Sequence, residues 1–547
     1  MRKKLLLYIL PLYFFTLIVN SQTTIREKNI TTSYFSDKVE LNFDSPTNIV
    51  NVLDAFSGEK LYYAKSNNSN ASYSIPVSKP GQILVINYIE NGIEKTSRLA
   101  TQSLSTGEIK VYFNHTVSTS VAYPGNNATN LGNTLDDKLI EKINACTSTL
   151  DIAIYNSASP NSTSGIAGAI NAAYARGVQV RVIYDGSTSS TMIPLLNAGI
   201  PKLASPTSSE YGIMHNKFVI FDANHADANI PLVWTGATNW TVVQIDGPDS
   251  NNVITFQDQA MALGYKLEFE EMWGSTTMTP NPTNSKFGPF KTDNTPHNYI
   301  VGGKAVESYF SPSDGTSSAI INCINTANSD INIATMLITR DDIANAIVDK
   351  YNSGITNINL LTDTQNPSGN DFNFIQSSIA PNHAVKDVVT GSIMHHKFVV
   401  IDNGNTSSDP QVLTGSHNWS SSAETRNDEN TVVVHDANIA NQYYQAFHYL
   451  YTLASGVLSV NNSTFNEKAL TLYPNPTSSS ITIKNSGEDD LENCSIVLYD
   501  FMGKKVYEKE IGYLVSETLD LSNHQSGVYI LNLKSNDKVK SFKVIKQ

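Results

Sequence analysis

Two short stretches carry side chains suited to chemistry, and they are copies of each other. IMHNKFVIFD begins at Ile213 and IMHHKFVVID at Ile393, each of the form His-x-Lys-x4-Asp. The first supplies His215, Lys217 and Asp222; the second, 180 residues on, supplies His395, Lys397 and Asp402. A phosphodiester suits these types. Lysine offers a compact positive charge to non-bridging phosphate oxygens. Histidine titrates near neutrality, so it can attack phosphorus or protonate a leaving oxygen. Attack and departure occur in line on opposite sides of phosphorus, so one histidine cannot easily do both, whereas two facing copies can. Each copy is followed by a strand-like run, a tight turn and an Asn-Trp pair, VWTGATNW from Val233 and VLTGSHNW from Val412. The turns add candidate phosphate-binding groups: Thr238, Ser416, Asn239 and Asn418.

The apolar, β-branched content of each motif predicts a strand. Alternation then puts His215, Lys217, Val219 and Phe221 on one face and Phe218 and Ile220 on the other. His395 and Lys397 follow the same rule, and His396 points into the opposite layer. Asp222 and Asp402 lie an odd number of steps from their histidines. They complete the candidate catalytic set but are expected at the strand ends, holding structure rather than touching substrate.

The elements that must position these residues repeat as well. GIAGAINAAYARG followed by VQVRVIYD parallels DIANAIVDKYNSG followed by ITNINLLTD, and each helix-like run ends at a C-cap glycine. Asp151 to His215 spans 64 residues and Asp330 to His395 spans 65. Helices alternating with strands, twice over, indicate an α/β half-domain used in duplicate. The boundaries are an accessory domain at 22–105 with the turn-separated short strands of a β-sandwich, a first lobe at 106–275, a Pro/Thr/Asn-rich connector at 276–302, a second lobe at 303–456 and an all-β tail at 466–547. Cys146 and Cys323 fall at nearly matching places and read as small apolar core residues; whether they bridge is left open.

The formal net charge is −13 over 547 residues, and about −15 of charge falls between 108 and 455. That balance disfavours a broad phosphate-gripping nucleic-acid surface, although a small basic pocket fits inside an acidic shell. Residues 1–21, MRKKLLLYILPLYFFTLIVNS, have the basic start, short apolar run and small-residue end of a secretory signal peptide. No other segment is long and apolar enough to span a bilayer, so no transmembrane segment is expected in the mature chain.

The paired motifs resemble those of the phospholipase D superfamily, His-x-Lys-x4-Asp followed by a Gly-Ser-x-Asn turn. The resemblance covers about Glu108 to Ser455. It implies an α/β fold in which two pseudo-repeated lobes share one active site, flanked here by the N-terminal β-sandwich-like domain and a C-terminal β-sandwich. It also implies a phosphohistidine intermediate, no metal or other cofactor, His215 as nucleophile and His395 as general acid, then base. The second copy continues WSSSAETRNDENTVVV, matching the family's Asn-x-Glu-Asn tail and making Glu429 a candidate to orient a histidine. The first copy departs from the pattern, with Asn251 where Glu429 aligns and Ala237 where Ser416 aligns. Either Asp246 or Asp249 substitutes, or the two histidines have unequal roles. The tail, with LYPNPTSSSITI, VLYDFMG, SGVYILNL and FKVIK in order, resembles the C-terminal sorting domain of type IX secretion cargo. It implies the type IX machinery as a partner and a secreted or surface location in a Gram-negative bacterium. Three functions compete: a phospholipid phosphodiesterase, an extracellular metal-independent nuclease on the same machinery, and a silent surface-binding protein.

Overall fold

The computed structural model describes residues 24–27, 30–34, 38–63, 70–77, 79–158, 165–364, 367, 369–389, 391–454, 470–486, 491–500, 504–535 and 538–547; the expected signal peptide lies outside them. The chain divides into two compact units, Met1–Val457 and Leu458–Gln547. In the accessory region the expected short strands are joined by one long one. The 17-residue strand Lys38–Asp54 pairs with Ile30–Tyr34 and Asn70–Pro76 through its first part, and with Lys60–Tyr63 and Ile83–Glu90 through its second. Its inward residues Val39, Leu41, Ile49 and Val52 join one apolar core with Ile75, Leu84 and Ile86.

The first lobe contains β1 (Ile109–Phe113), α1 (Leu135–Ala145), β2 (Thr149–Ile154), α2 (Ile166–Ala175), β3 (Gln179–Tyr184), β4 (Lys217–Phe221), β5 (Leu232–Gly236), β6 (Asn252–Phe256) and α3 (Gln259–Trp273). The second contains β7 (Lys304–Ser311), α4 (Thr316–Thr326), β8 (Asp330–Thr335), α5 (Asp341–Asn352), β9 (Asn357–Thr362), β10 (Lys397–Ile401), β11 (Gln411–Gly415), β12 (Glu429–His435) and α6 (Ala437–Leu453). The inner sheet order is β3-β2-β4-β5-β6-β1 in one and β9-β8-β10-β11-β12-β7 in the other, which is the same topology twice. In both, β2 or β8 runs parallel to the strand after its helix and antiparallel to the motif strand.

Burial on both faces explains why the motif strands β4 and β10 read as apolar runs. Val219 and Phe221 join Ile152, Val180 and the α1 and α2 side chains in one core, and Val399 and Ile401 do the same with α4 and α5. Each such buried side chain contributes roughly 1.5–3 kcal/mol. On the opposite face Phe218 meets Tyr265 of α3, and Tyr265 meets Phe310 of the second lobe. Phe398 likewise meets Tyr443 of α6, and Tyr443 meets Phe113 of the first lobe. Each lobe thus gives one phenylalanine to the other's aromatic cluster. The contacts are edge-on, with centroids 5.0–5.3 Å apart, a favourable arrangement for ring quadrupoles. Asp258 and Asp436 cap α3 and α6, their side chains accepting from Met261 N and Ile439 N.

The 276–302 stretch is packed rather than a loose connector. Asn298–Val301 is already an outer strand of the second sheet, paired with β7. Phe287 is buried, and the Lys291 ammonium, fully shielded from solvent, pairs with Glu268 of α3, donates to the Ser311 carbonyl at 2.9 Å and lies 3.8 Å from Asp428. Turn-rich composition marks an irregular backbone but not whether its side chains are swallowed. In the C-terminal unit, a three-stranded and a four-stranded antiparallel sheet share one core that includes Ile481, Ile496, Leu519 and Leu531. The three cysteines are free and buried.

Candidate active site

The histidines stand just ahead of β4 and β10, because the strands begin at Lys217 and Lys397 rather than at Ile213 and Ile393. What holds them is a pair of crossings between the lobes. Met214 forms a parallel bridge with Asp428, and Met394 forms the equivalent bridge with Ser250. Asp428 N donates to Ile213 O at 3.0 Å, Ser250 N to Ile393 O at 2.9 Å, and His395 N to Ser250 O at 2.9 Å. Each motif therefore lies against the tail of the other lobe.

This crossing exchanges the expected partners. Glu429, in the second copy, accepts from His215 Nδ1 of the first at 2.6 Å. Asn251, in the first copy, meets His395 Nδ1 of the second, its Oδ1 at 3.0 Å. Neither Asp246 nor Asp249 takes that place: Asp249 Oδ1 accepts from Ile393 N at 2.8 Å. The Asn251 amide is oriented by its other end, where Nδ2 donates to the carbonyls of Gln244 and Asp249 at 3.3 and 3.2 Å. Its oxygen is left for the imidazole, so neutral His395 carries its proton on Nδ1 and presents a bare Nε2. The Glu429 carboxylate imposes the same tautomer on His215.

The lysines are placed alike. Lys217 Nζ donates to His215 O at 2.7 Å and Lys397 Nζ to His395 O at 2.6 Å. The four basic residues are at most 5% exposed, and they act on one another. Burial pushes His215 down to about 4, Glu429 opposing and Lys217 and Lys397 adding to the fall. Burial takes Lys217 down to about 7. His395 and Lys397 are also held well below their ordinary values, by burial and then by their basic neighbours. Burial raises Glu429, but His215 and Lys217 more than offset this and keep it ionised below the usual carboxylate range. Glu429 acts on both lysines, Asp185 on Lys217 and Asp363 and Asp249 on Lys397, and an anion bound among the four basic groups would favour their protonated forms in the same way.

Several expected residues do other work. Asp222 and Asp402 sit at the far strand ends with φ of 53° and 55°. Asp222 accepts from the backbone of Thr147, Ser148 and Thr149, and Asp402 from Asn328, Ser329 and Asp330. They anchor the loops entering β2 and β8, at the opposite strand ends from the motif histidines and lysines. Asp222→Ala is expected to lower unfolding free energy by roughly 2–4 kcal/mol, since it strands buried N–H groups. Denaturant melts check this, with kcat of the folded fraction retained. The single hydroxyl proton of Ser416 goes to Glu429 at 2.8 Å and that of Thr238 to Asn252 O at 3.0 Å. Neither is free to donate to phosphate. Asn239 Nδ2 donates to Gln244 Oε1, and the Oδ1 atoms of Asn239 and Asn418 are buried without partners among the described residues. Gly236 and Gly415 open these turns at φ of 146° and 158°, where a Cβ would fall 2.5 Å from Asn252 O and 2.1 Å from Asn430 O.

Sequence reasoning missed three contributors. Asp185 and Asp363, at the ends of VIYD and LLTD, accept from Met214 N and Met394 N at 2.8 Å. Their matching places in the repeat were a visible signal. Tyr155 stands edge-on to His215 with centroids 4.7 Å apart, and Lys217 Nζ lies 5.0 Å from its ring. Its place after β2 falls to Met336 in the second lobe, so no repeat signal marked it. Among the described residues no group of three or more His, Cys, Asp or Glu is placed to hold a metal ion.

Comparison with known proteins agrees with this duplicated arrangement. The family model for the cardiolipin synthase, PLD-like domain matches residues 139–273 and again 320–451. The chain carries two phospholipase D-like repeats. A secretion system C-terminal sorting domain matches 471–547. Mitochondrial cardiolipin hydrolase of Drosophila melanogaster is 31% identical over 159 residues, 26% of this chain and 60% of that protein. Phospholipase D of Rickettsia prowazekii is 28% identical over 189 residues, 34% of this chain and 84% of that one. The chain thus spans less than two thirds of the fly protein's length. The solved phospholipase D family member Nuc from Salmonella typhimurium is 24% identical, covering 28% of this chain and 99% of its own, with a TM-score of 0.25. Among the described residues no helix is long and apolar enough to cross a membrane.

Proposed function

We propose that the two repeats form one phosphodiesterase site, delivered to the cell surface or beyond by the sorting tail, and that its substrate is a phospholipid. The observation that carries this reading is the crossed pair of Nδ1 partners, a carboxylate on His215 and a neutral amide on His395. An anion behind His215 raises the electron density of its Nε2 and stabilises the cationic ring formed by attack. A neutral amide orients His395 without holding its proton, which suits an acid that must give the proton up. His215 Nε2 attacks phosphorus; the bond to the leaving oxygen breaks, and the proton on His395 Nε2 goes to that oxygen. Water then attacks the phosphohistidine, His395 Nε2 takes its proton, and the P–N bond breaks. Lys217, Lys397 and the amides of Asn239 and Asn418 serve the phosphate oxygens. The names of the relatives, cardiolipin hydrolase and phospholipase D, support phosphodiester chemistry, and the acidic lobe pair favours lipid over nucleic acid.

The assay is turnover of phosphatidylcholine and of single- and double-stranded DNA by the purified protein with EDTA present. Lipid turnover supports the reading; DNA cleavage without lipid turnover overturns the substrate. The pH profile is a second check. With His395 held well below 6.5, few free molecules carry the required proton at pH 7, and each drop in pH raises that fraction. On a soluble phosphodiester, kcat/KM is therefore expected to rise as pH falls from 8. The maximum lies on the acidic side of 6.5, and activity is lost as His215 protonates near 4. An optimum at pH 8 would contradict the assignment.

A further inference from the structure

The aromatic seam between the lobes obeys the repeat, but one contact beside it does not. His396, between His395 and Lys397, corresponds to Asn216 in the first copy. Its Nε2 lies 2.7 Å from Nε2 of His115, just past the end of β1 in the other lobe. The surrounding bonds assign the protons. Thr414 Oγ1 and the Tyr443 hydroxyl both donate to Asn252 Oδ1 at 3.1 Å, which turns Asn252 Nδ2 towards His396 Nδ1 at 2.8 Å. His396 therefore accepts on Nδ1, carries its proton on Nε2 and donates it to His115 Nε2. His115 in turn donates from Nδ1 to the Thr116 carbonyl at 2.8 Å. Every ring nitrogen is engaged, and both lone pairs are covered. A further proton can be taken up only by breaking the His115–His396 or the Asn252–His396 bond.

We infer that His115 and His396 are positioning residues that clamp β1 of the first lobe onto β10 of the second, and that the clamp holds only while both rings are neutral. Its reach into the site is short. His396 is bonded through the backbone to His395, its carbonyl accepts from Met336 N at 2.8 Å, and Asn252 adjoins Asn251, the partner of His395. The clamp thus grips both residues next to the His395–Asn251 hydrogen bond. The titratable groups facing it are Lys397 and His395 from the motif segment and the Tyr443 phenol from α6. Among the described residues no carboxylate hydrogen-bonds to either ring. Burial pushes His115 down to about 4 and His396 well below its ordinary value, with His115 and Lys397 adding to the latter. His115 is only partly buried and adjoins the exposed Thr116, so solvent lies close to the pair.

The catalytic consequence rests on the phosphodiesterase reading; the contact itself does not. The test compares the full chain with His396→Asn, which copies Asn216, on bis(p-nitrophenyl) phosphate between pH 7.5 and 4. The His215 titration is common to both proteins, and that of His395, which His396 helps to lower, is read by NMR in each and divided out of the ratio. Wild-type kcat/KM is expected to exceed the variant's by about tenfold at pH 7.5, the scale of a small misplacement of a reacting group, with the ratio closing towards one near pH 4. A ratio constant across that range would overturn the inference. A measurement on wild type needs neither variant nor activity: imidazole nitrogen NMR is expected to show His396 as the neutral Nε2–H tautomer and both rings neutral down to pH 5. Either ring titrating near 6.5 would overturn it.

Discussion

In His395→Ala, a phosphodiester with a p-nitrophenolate leaving group is expected to be cleaved once per site and no further, whereas His215→Ala cleaves none. The contrast follows from what each ring supplies. Nitrophenolate departs without a proton, so loss of the general acid leaves the first step open; the phosphohistidine then accumulates because no base activates water. For an alkyl leaving group the same variant loses roughly 10²–10⁴-fold, the usual contribution of general acid–base catalysis. Losing the nucleophile leaves no first step for either substrate, a fall of about 10⁴-fold or more. Rapid-quench release of nitrophenol reads both cases. Equal bursts from the two variants, or from neither, would mean that the roles are not divided in this way.

Glu429→Gln is expected to lower kcat by roughly 10²–10³-fold while the protein still folds. Glutamine can still accept from His215 Nδ1 and Ser416 Oγ, so the tautomer survives and the loss reports the charge. Glu429 is the largest influence opposing the burial-driven fall of both His215 and Lys217. Without it the Lys217 ammonium gives up its proton at lower pH than about 7. The Lys217 part of the alkaline limb of kcat/KM, beyond the fall set by His395, should therefore move down in pH, which a loss of packing alone would not cause. A variant with an unshifted limb and near wild-type kcat would remove Glu429 from the site.

The sequence shows much of this plan because a repeat exposes what a single copy hides. The motif strands, the helices before them and the supporting place of Asp222 and Asp402 all follow from periodicity and matched spacing. What it does not show is set by pairings across the chain. Alignment places Glu429 with the second motif and Asn251 with the first, but the Met214–Asp428 and Met394–Ser250 bridges cross the lobes and exchange them. The bridge that brings Glu429 to His215 spans more than 200 residues of chain, beyond any local pattern. Ser416 and Thr238 have the right chemistry for phosphate, yet one hydroxyl proton each is already committed. Lys291 stands in a stretch of connector composition, where a lysine reads as solvated until Glu268 and Asp428 are seen around it.

On the proposed reading, one site is built from two unequal halves and His215 is the residue that becomes phosphorylated. The direct measurement is mass-spectrometric localisation of the adduct in His395→Ala after a denaturing alkaline quench, with intact wild type quenched in the steady state alongside. The phosphoryl group is expected on the peptide containing His215 in both proteins. Phosphate on the His395 peptide of wild type, or shared equally between the two peptides, would contradict it.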